Sequence, residues 1–281
     1  LLTSLGIVNS ERVNKKDGIS AMVISYNESD WIELSLRSIA DIVDEFVIID
    51  SSDDETVKII QNLKKELPIN LIRQPLLGPK VARETGLKNI NYKYVLIWDP
   101  DFIAKKELID KINSFMSTSN KKYYHLVYWP WISLCGDLSH RCREKYHVEH
   151  WLFTYSKKLK YLWDGKIDFL YAPLYYKKVN LSPTPLGYHM NHVKRPERIA
   201  LNKLFRESRY FSLKNEKGID EAEKALKEKA LELFGTTNLK EIGLKIMRDE
   251  IIGKPCFDYR ELPNEVLKRA KELGIPFGSC T

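Results

Sequence analysis

At 281 residues, of which 43% are hydrophobic, the chain is long enough to bury one large core, yet no run approaches the ~18 uninterrupted apolar residues that a membrane helix needs. Its formal net charge of +7 comes from lysines and arginines interleaved with Asp and Glu, with no nucleic-acid-binding motif. This argues against nucleic acid as a partner and suits a basic mouth around an anionic ligand.

The segment Leu1 to Lys16 lacks the basic-then-apolar order of a signal peptide, which predicts a cytoplasmic chain. Ile19 to Tyr26 then reads as a largely buried strand, followed by the polar turn Asn27-Glu28-Ser29-Asp30. Asp30 and Glu33 have capping-box spacing ahead of a helix carrying Trp31, Leu34, Ile39 and Ile42. Phe46 to Asp50 repeats the pattern, ending in Ser51-Ser52-Asp53-Asp54-Glu55-Thr56 and a second helix with Val57, Ile60, Leu63 and Leu67. A third unit pairs a strand at Ile69 to Ile72 with a helix over Lys80 to Asn89. The fourth strand, Tyr94 to Trp98, stops on Asp99-Pro100-Asp101. That tripeptide is good turn chemistry, and it is also a pair of carboxylates able to face a divalent cation and a sugar nucleotide.

Strands alternating with helices at this rhythm predict an α/β fold with a mostly parallel central sheet and helices on both faces. Right-handed crossovers then gather the polar turns, with Tyr26, Asn27, Glu28, Asp50, Asp53, Gly78, Lys80, Arg83, Asp99 and Asp101, on one rim. Neither a dinucleotide glycine fingerprint nor a Walker loop is present.

The succession Ser25-Tyr26-Asn27-Glu28, then Asp50-Ser51-Ser52-Asp53-Asp54-Glu55-Thr56, Gly78-Pro79-Lys80-Val81-Ala82-Arg83-Glu84-Thr85-Gly86 and Asp99-Pro100-Asp101 resembles the family 2 glycosyltransferases of the GT-A, Rossmann-like fold. The resemblance implies metal-dependent, inverting transfer of a sugar from a nucleoside-diphosphate donor to a glycan or lipid-linked acceptor, at a hydroxyl or phosphate. It implies that Tyr26, Asn27, Glu28, Asp50 and Asp53 meet the nucleoside, that Lys80 and Arg83 lie near the phosphates, and that Asp99 and Asp101 serve sugar and metal. The competing structural readings are helix capping for Glu28 and Asp53 and a solvated helix face for Arg83.

Beyond a helix at Leu108 to Phe115, Tyr123 to Trp131 alternates aromatic and polar residues as an antiparallel strand would, and Leu134 to Asp168 is aromatic without periodicity. Its Trp and Tyr side chains suit sugar stacking and core filling equally. Leu186 to Glu197 is similar to a segment of lipopolysaccharide-core and archaeal glycosyltransferases. By that resemblance His189, with His192 as rival, joins Asp101 and Asp99 around Mn²⁺ or Mg²⁺, and Lys194 and Arg195 neutralise the leaving diphosphate. For the base that takes the acceptor proton, Asp168 comes first, then Asp164, Glu149 and Asp137; here the family pattern is departed from.

From Pro196 on, helices are predicted over Arg198–Leu213, Asp220–Phe234, Leu239–Ile252 and Asn264–Leu273, with Gly235 and Gly274 as C-caps. The stripe Leu226, Ala230, Leu233 and Phe234 either packs on its own domain or rests peripherally on an anionic membrane. The expected organisation is a lead-in over 1–17, a nucleotide-sugar half over 18–115, an acceptor half over 116–195 and a helical extension over 196–281. Two other functions fit a similar sheet: a sugar-phosphate nucleotidyltransferase, and a non-catalytic carbohydrate- or partner-binding protein. Four cysteines, Cys135, Cys142, Cys256 and Cys280, show neither zinc-ligand spacing nor a catalytic signature. Cys135 and Cys142 are close enough to bridge, but in a reducing compartment they are expected as thiols without a role.

Overall fold

The computed structural model describes residues 15–120, 122–163 and 168–278. Most of the predicted lead-in, together with Asp164 and Cys280, lies outside them. The chain divides into two compact units, residues 1–132 with 146–189, and residues 133–145 with 190–281.

The first unit is α/β. Strands β1 (Lys16–Ser25), β2 (Glu45–Asp50), β3 (Ile69–Arg73) and β4 (Tyr92–Ile97) are parallel, in the order β3-β2-β1-β4. Ala21, Met22 and Val23 of β1 and Val47 and Ile48 of β2 are fully buried, as central parallel strands covered on both faces must be. The helices α1 (Ile32–Arg37), α2 (Thr56–Leu63) and α3 (Pro79–Asn89) connect them. Because β2 and β3 build outward on one side of β1 and β4 joins on the other, the carboxyl ends of β1 and β4 bound a topological switch point. Open α/β sheets bind ligands at that place.

The sequence-derived boundaries hold to within a few residues, with one local correction. α1 begins after Trp31, whose side chain makes no cap bond, and Glu33 pairs with Arg37. At the second helix the residue whose carboxylate accepts from the first-turn amide of Thr56 is Asp54, leaving Asp53 free of that duty.

Past β4 the sheet turns mixed. β5 (Phe102–Ala104) and α4 (Lys106–Thr118) lead to the long β6 (Tyr124–Cys135), which pairs antiparallel with β7 (His147–Thr154), itself antiparallel to β4. β8 (Lys160–Trp163) and β9 (Asp168–Tyr171) form a separate two-stranded sheet. β10 (Tyr176–Asn180) runs parallel to β6, and β11 (Gly187–His192) pairs antiparallel with β5. The stretch from Leu134 to Asp168, which shows no periodicity in sequence, therefore contains β7 and β8 and reaches the start of β9. Trp129, Trp131 and Trp151 are buried in the core, which settles their role as filling. The Phe102 ring stacks on Trp131 at 4.5 Å and meets Trp151 edge-on at 4.7 Å. Gly187 exists to admit this cluster, since a Cβ there would strike the Trp131 ring.

The second unit is helical: α5 (Pro196–Glu207), α6 (Tyr210–Lys217), α7 (Ile219–Phe234), α8 (Leu239–Glu250) and α9 (Asn264–Glu272). The helix predicted over Arg198–Leu213 is in fact two, broken where Arg209 takes φ 53°. Asn238 caps α8 through its side-chain oxygen, which accepts from the Lys240 and Glu241 amides at 3.1 and 3.2 Å. Gly235 and Gly274 adopt positive φ just past α7 and α9, as expected of glycine C-caps. Leu226, Ala230 and Phe234 pack with Ala200, Leu204 and Ile242, so that stripe covers its own unit, while Leu233 stays exposed. Residues 133–145 are sewn to the end of the chain: the Leu138 amide donates to the Pro276 carbonyl, that of Arg141 to Pro255, and that of Phe257 to Ser139. Among the described residues no helix is long and apolar enough to cross a membrane.

Candidate active site

Three polar turns meet at the carboxyl edge of the parallel strands. The turn after β1 depends on Asn27, which adopts φ 55°, a conformation Asn tolerates better than most side chains. Its amide donates to Ser52 Oγ at 2.7 Å, its Nδ2 donates to Asp53 Oδ1 at 2.7 Å, and the Asp53 amide donates back to Asn27 Oδ1 at 2.9 Å. Two loops from neighbouring strands are thereby clamped together, with the Asp53 side chain at the surface. Tyr26 and Glu28 are half-buried beside them.

Asp50 is fully buried at the end of β2. Its Oδ1 accepts from Ser52 Oγ at 2.6 Å, and its Oδ2 forms an ion pair with Arg73, whose other nitrogen donates to the Ser52 carbonyl at 2.6 Å. A carboxylate with that many donors and no exposure organises the loop from beneath. Arg73 and Ser52 were not singled out from sequence. Arg73 becomes significant only once the β2–β3 register sets it opposite Asp50.

The carboxylate pair after β4 is both a turn and more than a turn. The Phe102 amide donates to the Asp99 carbonyl at 3.0 Å, closing a four-residue turn around Pro100. Ser35 Oγ also donates to that carbonyl at 3.1 Å and accepts from Trp98 Nε1 at 2.9 Å, which locks α1 to the tip of β4. Asp99 Oδ1 accepts from Arg83 Nη2 at 2.8 Å. Arg83 is buried, not on a solvated face. Lys80, one turn earlier on α3, is exposed and lies 3.9 Å from Glu84.

Asp101 is only 5% exposed, and its Oδ1 lies 3.4 Å from His189 Nε2. The pairing follows from register, since His189 on β11 stands opposite Phe102, and the two rings meet edge-on at 4.4 Å. The aromatic cluster thus fixes the imidazole against the carboxylate. One hard oxygen donor and one imidazole nitrogen side by side fit Mn²⁺ or Mg²⁺, which take few protein ligands and complete their shell with phosphate and water. Asp99 is adjacent but engaged with Arg83.

The remaining expected residues are dispersed. Glu149 on β7 is exposed, with His147 Nε2 2.6 Å from its Oε1. β7 pairs with β4 from Tyr94–Thr154 to Leu96–Leu152, and its partner at Glu149 is Trp129 of β6. Asp168 opens β9, its side chain outside the described set, as is Asp164 entirely. Asp137 is buried in the second unit, where it accepts from the Ser139 amide at 2.7 Å and meets His140 Nδ1 at 2.9 Å. Lys194 is buried in that unit, and His192, the rival of His189, lies there beside Glu250.

The family described as Glycosyl transferase family 2 matches residues 20–174. An uncharacterized glycosyltransferase of Rickettsia bellii is 35% identical over 119 residues, covering 41% of this chain and 37% of that protein. Poly-beta-1,6-N-acetyl-D-glucosamine synthase of Staphylococcus aureus is 30% identical over 100 residues, 34% of this chain and 24% of the synthase. The matches thus span well under half the length of these relatives. Among solved structures, residues 1–349 of S. aureus TarS in complex with UDP-GlcNAc align at 14% identity over 91% of this chain and 88% of that one, with a TM-score of 0.46. The mannosyltransferase PcManGT of Pyrobaculum calidifontis, in complex with GDP-Man and Mn2+, aligns at 16% identity over 85% and 75%, with a TM-score of 0.45.

Proposed function

The chain belongs to glycosyl transferase family 2, and from that premise we propose that it moves a sugar from a nucleoside-diphosphate donor to an acceptor hydroxyl or phosphate, with inversion at the anomeric carbon. The observation that carries the reading is Asp101, buried against His189 at the switch point of the sheet, one turn from the Arg83–Asp99 pair. The clamped loops of Asn27 and Asp53, with Tyr26 and Glu28, receive the nucleoside, while Asp50 positions them from below. In this reading Arg83 and the exposed Lys80 would meet the donor's phosphates.

Asp101 and His189 would hold a divalent cation, with Asp99 next to it. When bound, Mn²⁺ or Mg²⁺ supplies positive charge that stabilises the departing diphosphate. The chain's own task is to orient the donor and to take the acceptor's proton as its oxygen attacks the anomeric carbon from the face opposite the leaving group. Glu149 suits that task by its exposure; Asp168 and Asp164 stay in contention for the same proton.

The test is sugar transfer from a panel of labelled sugar nucleotides with Mn²⁺ present, in wild type and Asp101→Ala. Transfer by wild type and its loss in Asp101→Ala, at unchanged melting temperature, are expected. Pyrophosphate release from a nucleoside triphosphate plus sugar phosphate would instead mark a nucleotidyltransferase, and full transfer by Asp101→Ala would remove the carboxylate from the mechanism.

A further inference from the structure

The second unit brings a disulfide sulfur, an imidazole and a carboxylate together. Cys135 ends β6 and is disulfide-bonded to Cys142. His192 ends β11 and Glu250 ends α8. One ligand atom each from Cys135, His192 and Glu250 lies within 4.8 Å of the other two. His192 Nδ1 is 3.2 Å from Glu250 Oε1, while Glu250 Oε2 is buried without a hydrogen-bond partner. A buried carboxylate oxygen with no donor is costly, and a cation removes that cost.

The backbone holds the three elements together independently of the side chains. The Gly136 amide donates to the His192 carbonyl at 3.1 Å. Gly136 itself, at φ 67°, lies so close to α8 that a Cβ would strike the Met247 carbonyl and the Ile251 side chain. The turn after Cys135, the end of β11 and the last turn of α8 are therefore fixed against one another whatever the sulfurs do.

We propose that this cluster is a redox-gated zinc site, closed as a disulfide when oxidised and holding Zn²⁺ on Cys135, Cys142, His192 and Glu250 when reduced. In the opening step a dithiol attacks the disulfide, its two electrons break the S–S bond, and it leaves as a cyclic disulfide; Cys135 and Cys142 take up its two protons as thiols. Zinc binding then displaces those two protons, giving two thiolates, one imidazole and one carboxylate, a four-ligand set suited to tetrahedral Zn²⁺. Tetrahedral coordination at Zn–S distances of about 2.3 Å needs the sulfurs to sit roughly 3.8 Å apart. The 5.0 Å between the two Cα atoms allows this by side-chain rotation alone. The x₆ spacing of these cysteines resembles no common zinc motif, because two of the four ligands come from distant elements.

The experiment compares the oxidised chain with the chain reduced by dithiothreitol and desalted without air. Each is titrated with Co²⁺, read by thiolate-to-cobalt charge transfer, and then with Zn²⁺, read by metal analysis and melting temperature. The reduced chain should show the charge-transfer band, bind one Zn²⁺ and melt higher with zinc than without; the oxidised chain should do none of these. His192→Ala and Glu250→Gln, which keep the disulfide and can be checked for folding in the oxidised state, should each weaken Zn²⁺ binding roughly tenfold or more. Absence of the charge-transfer band in the reduced chain would overturn the proposal. So would undiminished binding in both of those variants, or full binding in a Cys135→Ser, Cys142→Ser double variant, which would put the metal elsewhere.

Discussion

Asn27 combines a left-handed backbone with three hydrogen bonds to the neighbouring loop, so its substitutions separate two effects. Asn27→Ala should lose about 1–2 kcal/mol for the left-handed conformation, in addition to the side-chain bonds, whereas Asn27→Gly should recover the backbone part and lose only the clamp on Asp53. Denaturant titration of the two variants measures the difference, and both should bind sugar nucleotide more weakly than wild type. Glu149→Gln asks a different question. If Glu149 takes the acceptor proton, kcat falls by roughly 10²–10⁴ while the KM for donor stays near its wild-type value. A full-rate Glu149→Gln enzyme would move the assignment to Asp168 or Asp164. Arg83, Asp99, Asp101 and Asn27 were all legible as rim residues because each sits one to four residues past a strand end or inside the helix that follows. Arg73 and Ser35 were not, since their importance comes from register and from a side-chain bridge between α1 and β4.

The four βα units could be read from periodicity because parallel strands buried on both faces appear as short apolar runs between polar turns. The antiparallel half gave a weaker signal. β6 showed in the alternation of Tyr123 to Trp131, but β7 lay in a stretch without periodicity, and β8 and β9 are four-residue strands, too short for alternation to show. The break at Arg209 was equally hidden, as nothing in the local sequence supplies the glycine that such a conformation usually demands. Helix packing in the second unit makes a sharper demand at Gly243. This α8 residue lies so near α5 that a Cβ would collide with the Pro196 carbonyl. Backbone cannot yield as a flexible side chain can, so Gly243→Ala should cost about 1–3 kcal/mol and lower the melting temperature by several degrees, measurable by calorimetry.

Each unit has its own buried core and its own local chemistry, and these respond to different reagents. A disulfide closing so short a loop contributes about 2–3 kcal/mol in the chain-entropy description. Reduction in the presence of a chelator should therefore speed amide exchange over 133–145 and at its hydrogen-bonded partner Phe257, while the buried amides of β1, β2 and β4 keep their protection. Uniform loss of protection across both units would show that the bridge supports more than its surroundings. The disulfide also runs against the thiols expected of a cytoplasmic chain, and sequence spacing alone could not decide the pairing.

The chain leaves the first unit after residue 132, returns at 146 and departs again after 189. The helical unit is not one continuous segment, because thirteen of its residues are encoded upstream of four strands of the other unit. A chimera spliced at one junction near residue 190 would inherit the helices without the stretch that contributes both bridged sulfurs and the Pro255 and Pro276 pairings. Grafting this unit onto a relative needs two coordinated crossovers, and the shorter insert is the one that decides whether the graft folds.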